Sequence, residues 1–416
     1  MVIRRMKEIS CKNSMDEWVV LGIAASIFLS IYVTVAMMVV TAAYLIRKDK
    51  ILDVAMYTPG IKYLWTLCAL GLAAAIVNNN DIGALITVAL AGGFLIGAYA
   101  RTVMTRALFD KVIMVACAGS LVAFVVALIQ YLAFDGSLNR VSSVFINANY
   151  YAAVVEIVVL FAVYKLHRAK SLSEVGFYTA VIAMNAAGMY FSGCRTALFA
   201  LFAGVALMLL CYNRYKALAA FAGLCVLLAA GMTFLPGVFP RMDQLGNDMG
   251  TRLAIWHKAL EEIASHPVFG EGALAFSNFR FVVNGLRIIH AHNIYLETIL
   301  CFGITGSALI LVYLKKNLTP IWRMRRSNAD GDRFGLALGL LSSVALHGLV
   351  DSTPFNVQTG VLVMLVLSMA GIQENLQPVL TRLPAYHTAY IHSTSAQGRK
   401  DVYAEKDRAY FTKKSA

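Results

Sequence analysis

Ala217–Leu235 reads ALAAFAGLCVLLAAGMTFL, nineteen residues without a charged side chain. A run of roughly 18 or more apolar residues is a membrane span rather than the core helix of a soluble domain. Immediately after it, Pro236 opens the one sizeable polar stretch of the chain, which closes near His292 before another apolar run begins. Long apolar runs recur on both sides. They place spans near 18–46, 61–77, 82–100, 112–134, 148–166, 175–191, 196–213, 217–235, 293–314, 334–350 and 355–373. The sequence therefore reads as an all-α polytopic membrane protein of about eleven or twelve transmembrane helices. A basic segment, 1–17, precedes the membrane domain, 18–373, and a polar tail, 374–416, follows it.

Composition agrees. Only 14% of the 416 residues are charged and 59% are hydrophobic, against about 25% charged in a soluble domain. There is too little polar side chain to cover a water-exposed surface. The net charge of +13 does not indicate nucleic acid, because Lys and Arg sit at the ends of apolar runs, where they set orientation and meet lipid headgroups. The seven cysteines include no CxxC pair and most lie in apolar runs, which suggests neither a disulfide framework nor a zinc site.

Alternate connections differ in basic content. Arg47 to Lys50, Arg101 to Lys111, Lys165 to Lys170, Arg214 to Lys216 and Lys315 to Arg333 are rich in Lys and Arg. The connections at 78–81, 135–147, 192–195 and 351–354 are poor in them, interrupted by Arg140 and Arg195 alone. The basic set is cytoplasmic by the positive-inside rule, which puts loop 236–292 outside and the polar tail inside. The stretch 18–46 fits either one tilted span or a bent pair of shorter segments. Its apolar core is longer than a signal-peptide h-region, so it reads as a retained anchor.

Five features fall on the outer face, each with two readings. Arg195 in SGCRT either snorkels to headgroups or grips phosphate oxygens with its planar guanidinium. Arg252 falls in the first turn of an amphipathic helix expected from Gly250 to about Ser265, with Leu253, Trp256, Leu260 and Ile263 on its apolar face. A cation there opposes the helix dipole, so it is placed for a ligand or for lipid phosphate rather than for helix stability. His290 and His292, in HAHN, are interfacial polar residues or a proton acceptor near neutral pH. No third or fourth donor is evident beside them, so no metal is assigned. Asn147 and Asn149 form a polar turn before a span, and Asp351 either caps a helix or orients a His or an Arg. Together, two Arg, a His pair and an Asp facing one side of a membrane suit an anionic substrate, such as the diphosphate headgroup of a lipid carrier, with a base beside it.

The segments VFINAN (Val144–Asn149), SGCRTAL (Ser192–Leu198), GTRLAIWHKALEEIASHPVFGEG (Gly250–Gly272) and HAHNIYLETILCFGITG (His290–Gly306) resemble the O-antigen ligase and polymerase superfamily of bacterial envelope glycosyltransferases. Their order and their placement about the large loop match as well, over roughly residues 140 to 375. Many members carry Pro where this chain has Ala148.

The resemblance implies a GT-C-like bundle in the bacterial cytoplasmic (inner) membrane. It implies transfer of a glycan from an undecaprenyl-diphosphate carrier to a glycan, lipid or protein acceptor on the outer face, without a cofactor. By motif, Arg195 and Arg252 hold the diphosphate, with Asn147 and Asn149 near the substrate. His292 is the base, His290 lies beside it, and Asp351 is a supporting acid. The alternative from another class is a transporter or flippase of lipid-linked glycan or a small anion. Carriers, however, usually bind at the bilayer midplane, and here polar residues within spans are few, Glu156, Asn185 and His347 among them.

Overall fold

The computed structural model describes residues 15–133 and 140–375. The chain divides into a unit ending at Ile372 and a second, Gln373–Ala416, most of which lies outside the described residues, as does the basic segment up to residue 14. Among its described residues the first unit is built of helices and loops, apart from one small hairpin. Its helices are α1 Met15–Ser26, α2 Ile31–Arg47, α3 Ile51–Tyr57, α4 Ile61–Val77, α5 Asp81–Val103, α6 Arg106–Ala133, α7 Ala148–His167 and α8 Leu172–Ser192. They continue as α9 Arg195–Cys211, α10 Tyr215–Phe234, α11 Leu245–Ser265, α12 Phe276–Phe279, α13 Ile294–Met324, α14 Gly331–His347, α15 Val357–Leu367 and α16 Ala370–Asn375. The hairpin pairs Val282–Val283 with Leu286–Arg287 in antiparallel register.

Every stretch read as a span holds a helix. Among the described residues, α5, α6, α7, α10 and α13 are long and apolar enough to cross a membrane. The pair α2 and α3, bent by 103°, makes a sixth if it is one broken span. At 17 residues, α4 and α9 are at the short end of the spanning range of about 17–25 residues. The stretch 18–46 is two helices interrupted at Ile27–Ser30, with Ser30 capping the second by accepting from Val33 N at 3.2 Å.

Close packing within the bundle brings together the helix ends on the side of the 236–292 loop, the side that the distribution of Lys and Arg marks as outer. α9 and α14 approach at paired glycines: a Cβ on Gly204 would sit 2.9 Å from the Gly339 carbonyl, and one on Gly339 2.8 Å from the Gly204 carbonyl. Small residues at a crossing let membrane helices meet backbone to backbone. This contact brings Cys194, just before α9, to His347, at the end of α14. α7 is the inner helix, 72% of its membrane window being buried, whereas none of the corresponding window of α10 is.

The outer loop is fastened to α13 at a break in that helix. Gly303 has φ 64 and ψ −172, so the helical ladder is interrupted there. The loop fills the gap: Glu271 N donates to Leu300 O at 3.0 Å, Gly272 N to Cys301 O at 2.9 Å, and Ile304 N to Pro267 O at 2.9 Å. A side chain on Gly303 would collide with the Val268 carbonyl, and a Cβ on Gly270 would lie 2.6 Å from the Leu300 carbonyl. Both glycines are needed for backbone to cross backbone, and the exchanged hydrogen bonds satisfy groups that lipid cannot.

Candidate functional site

Four helix ends and the loop helix converge on the outer face. α7 starts after Asn147, whose side chain caps it by accepting from Asn149 N at 2.7 Å. α8 ends at Gly193, whose left-handed φ of 59 turns the chain into Arg195. α13 starts after Asn293, whose side chain accepts from Tyr295 N at 2.9 Å and Leu296 N at 3.0 Å. α14 ends at His347 and leads into the turn that carries Asp351. α11 lies above, its Trp256 Nε1 3.4 Å from the His292 carbonyl.

A line of polar groups runs through the centre. Arg140 donates to Asn149 Oδ1, Asn149 Nδ2 donates to Asp351 Oδ2, and Asp351 Oδ1 lies 3.4 Å from His292 Nδ1. That last contact is within ion-pair range but outside hydrogen-bond geometry, which leaves Nδ1 a buried nitrogen without a hydrogen-bond partner. His292 also sits at φ 48, a left-handed conformation that a non-glycine residue keeps only when its surroundings impose it. The surroundings are identifiable. Glu297, on α13, accepts from Ala291 N at 2.6 Å, and His290 Nδ1 is 3.4 Å from His292 N and 3.2 Å from Ser352 Oγ.

His290 is held neutral. Burial, with His292 adding to it, pushes His290 down to about 4, so it is neutral at physiological pH. Burial alone would raise Asp351, but the contact with His292, with the imidazoles of His290 and His347 nearby, outweighs it and holds the carboxyl well below its ordinary value. An ionised Asp351 facing His292 Nδ1 favours the tautomer with its proton on that nitrogen, leaving Nε2 as the acceptor.

Around this line stand four arginines. Arg195 Nη2 pairs with Asp248 Oδ2 at 2.7 Å and its Nη1 donates to the Arg241 carbonyl. Arg241 Nη2 pairs with the same carboxylate at 2.8 and 2.9 Å. Arg140 also donates to Ser192 O at 3.0 Å, and burial lowers its guanidinium from the ordinary value. Arg252 donates through Nε to Val350 O at 3.1 Å, and its two terminal nitrogens have no hydrogen bond or ion pair among the described residues. A fork of donors held at its base and open at its tip is suited to phosphate oxygens.

Several expectations change. α11 begins at Leu245, not Gly250, so Arg252 stands in its second turn and the helix-dipole argument for its placement loses force. The buried face of α11 carries Ile255 and Ala259, while Leu253 and Leu260 are more than half exposed. Asn147 is a helix cap, whereas Asn149 is buried between Arg140 and Asp351. Asn356, not Asp351, caps α15. A third donor for a metal does exist: His290, His292 and Asp351 offer ligand atoms within 4.8 Å of one another, so the ground on which a metal was set aside does not hold in three dimensions. Arg140, Arg241 and Asp248 were not among the candidates. Arg140 did carry a signal, as one of two cations in the otherwise cation-poor set; Arg241 and Asp248 carried none.

No curated protein matches the sequence. The family model described as O-antigen ligase matches residues 178–311, a segment that contains Arg195, Arg241, Asp248, Arg252, His290 and His292 and stops short of Asp351. With its membrane-crossing helices, the chain is a multi-pass bacterial membrane protein. Residues 178–311 match as an O-antigen ligase domain, and this match supports a place among the ligases and polymerases of envelope glycans.

Proposed function

We propose that the protein transfers a glycan from an undecaprenyl-diphosphate carrier to an acceptor hydroxyl on the outer face of the bacterial cytoplasmic membrane, by an inverting displacement. His292 Nε2 takes the proton of the acceptor hydroxyl while Asp351 steadies the imidazolium that forms. The acceptor oxygen bonds to the anomeric carbon as the bond from that carbon to the phosphate oxygen breaks. Arg252 and Arg195 stabilise the charge that gathers on the departing lipid diphosphate. Asp248, which holds Arg195 and Arg241 in the free protein, gives way to the phosphate oxygens.

The observation that carries this reading is the His292–Asp351 contact, 3.4 Å long, beside arginines whose charges the two nearby aspartates do not balance. An apolar cavity of about 440 Å³ supports a lipid-borne donor. It is lined by Leu67, Leu90, Phe94, Phe302 and Met364, and it reaches Ile294 and Tyr295, just after the His pair, and Pro354 and Phe355, just after Asp351. A chain of isoprene units in that cavity reaches the residues that follow the base and the acid along the chain.

The test is to incubate purified protein with carrier-linked glycan and with lipid, peptide or carrier-bound glycan acceptors. Product with one acceptor class supports the reading and identifies the acceptor. Absence of product with all of them overturns it. A ligase and a polymerase then separate in a deletion strain, because only loss of a polymerase leaves single repeat units on the carrier.

A further inference from the structure

Two of the three polar residues singled out within the spans meet each other. Glu156 on α7 and His347 on α14, both 1% exposed, pair through Oε2 and Nδ1 at 2.8 Å, and Ser343 Oγ donates to Glu156 Oε1 at 2.5 Å. The His347 imidazole also interacts with the Cys194 thiol, in the turn that leads into Arg195. Its Nε2 has no nitrogen or oxygen partner among the described residues. Taking such a pair out of water costs more than an apolar contact of the same size, and an ionisable residue inside a bundle points to function by default.

The use for the pair lies one step along the chain. The His347 carbonyl accepts from Val350 N and Asp351 N, each at 3.2 Å, and so anchors the turn that ends at Asp351. That turn is where the site is assembled. Gly348 O accepts from Ile294 N at 2.8 Å, Leu349 O from Asn293 Nδ2 at 2.8 Å, and Val350 O from Arg252 Nε at 3.1 Å, while Asp351 faces Asn149 and His292. The base, the acid and one arginine all take their positions from five consecutive residues, and the first of them is held from below by Glu156.

We propose that Glu156 and His347 are positioning residues for glycosyl transfer. Their buried pair fixes the 348–351 turn, so that Asp351 faces His292 and the Val350 carbonyl aims Arg252. Neither touches substrate. The proposal rests on the transfer reading above, and a misplacement of about 1 Å at such a site costs on the order of 10²-fold in rate.

The test uses the full-length protein in lipid nanodiscs, with variants Glu156→Leu, His347→Leu, His347→Gln and the double change Glu156→Leu/His347→Leu. Each single Leu variant is expected to lower kcat about 100-fold with the donor KM nearly unchanged. The double variant, which leaves no lone buried charge and is therefore expected to fold, falls no further than either single one, because both act through one turn. His347→Gln, whose amide can still reach Glu156, recovers part of kcat. Amide exchange at 348–352 quickens in the Leu variants while α10 stays unchanged. Wild-type kcat in both single variants, a loss confined to KM, multiplying losses in the double variant, or unaltered exchange at 348–352 would each overturn the proposal. If wild-type protein makes no product, the transfer reading fails, and the exchange measurement still decides whether the pair holds the turn.

Discussion

The bundle carries a cluster of cations at each face, and the two are built differently. At the inner end, the end away from the loop, Asp330 is fully buried, accepts from Arg106 Nε and Nη2 at 2.8 and 2.7 Å, and pairs with Arg333 at 3.0 Å. Arg333 also meets Asp110 at 3.0 Å, and Lys165 meets the same carboxylate at 3.3 Å. At the outer side Arg140, Arg195, Arg241 and Arg252 surround Asp248 and Asp351, and the terminal nitrogens of Arg252 are left open. The same side chains are closed on one another at one face and held ready at the other. The inner cluster ties α6 to α14; the outer one has capacity left for a substrate.

The largest expected effect breaks the outer cluster. His292→Ala or Arg252→Ala lowers transfer by about 10²–10³-fold or more without lowering the thermal transition, since each removes a group that acts on the transition state. Rates and melting curves of purified variants check this together. The mirror experiment breaks the inner cluster. Asp330→Ala removes one of the two carboxylates that Arg333, whose side chain is 4% exposed, meets at 3.0 Å, and with it the partner of Arg106, and it destabilises the fold by about 3 kcal/mol. The protein that remains folded transfers at the normal rate per active site. A smaller effect sharpens the difference. Asp248→Asn removes the carboxylate that occupies Arg195 and Arg241, so the donor KM falls by roughly 3- to 10-fold, consistent with the strength of charge-assisted hydrogen bonds. A rise in KM would show that Asp248 serves only to hold the loop.

The smallest effect is on pH dependence. The folded value of His290, about 4, lies below its ordinary value of 6.5. The folded protein therefore binds fewer protons than the unfolded one between those values, and the stability from burying neutral His290 is present above 6.5 and lost as pH falls through 4. His290→Asn is expected to lose less thermal stability than wild type between pH 7 and pH 5.

Much of this was legible in the sequence, and the parts that were not share a cause. Apolar runs located the helices because a span must be continuous to cross hydrocarbon. They did not distinguish α7 from α10, since an apolar helix faces lipid or protein equally well; the burial of Glu156 and Asn149 on α7 shows the difference only in three dimensions. Arg195, the His pair and Asp351 were found because they stand near span ends where cations or acids are otherwise scarce, and Arg252 because it falls at the edge of the apolar face of an amphipathic loop helix. The start of α11 was missed because Gly246, Asn247 and Gly250 read as helix breakers. Each glycine costs about 1 kcal/mol, which the pairing of Asp248 with Arg195 and Arg241 offsets. The Glu156–His347 pair was invisible for another reason: 191 positions separate its members, and no local pattern links them.

The most direct test of the central claim is the anomeric configuration of the newly made bond, measured together with the amount of lipid diphosphate released. One His–Asp base acting on the acceptor requires inversion and one lipid diphosphate per glycan transferred. Retention of configuration, which demands a covalent glycosyl intermediate, or transfer without release of lipid diphosphate, would contradict it.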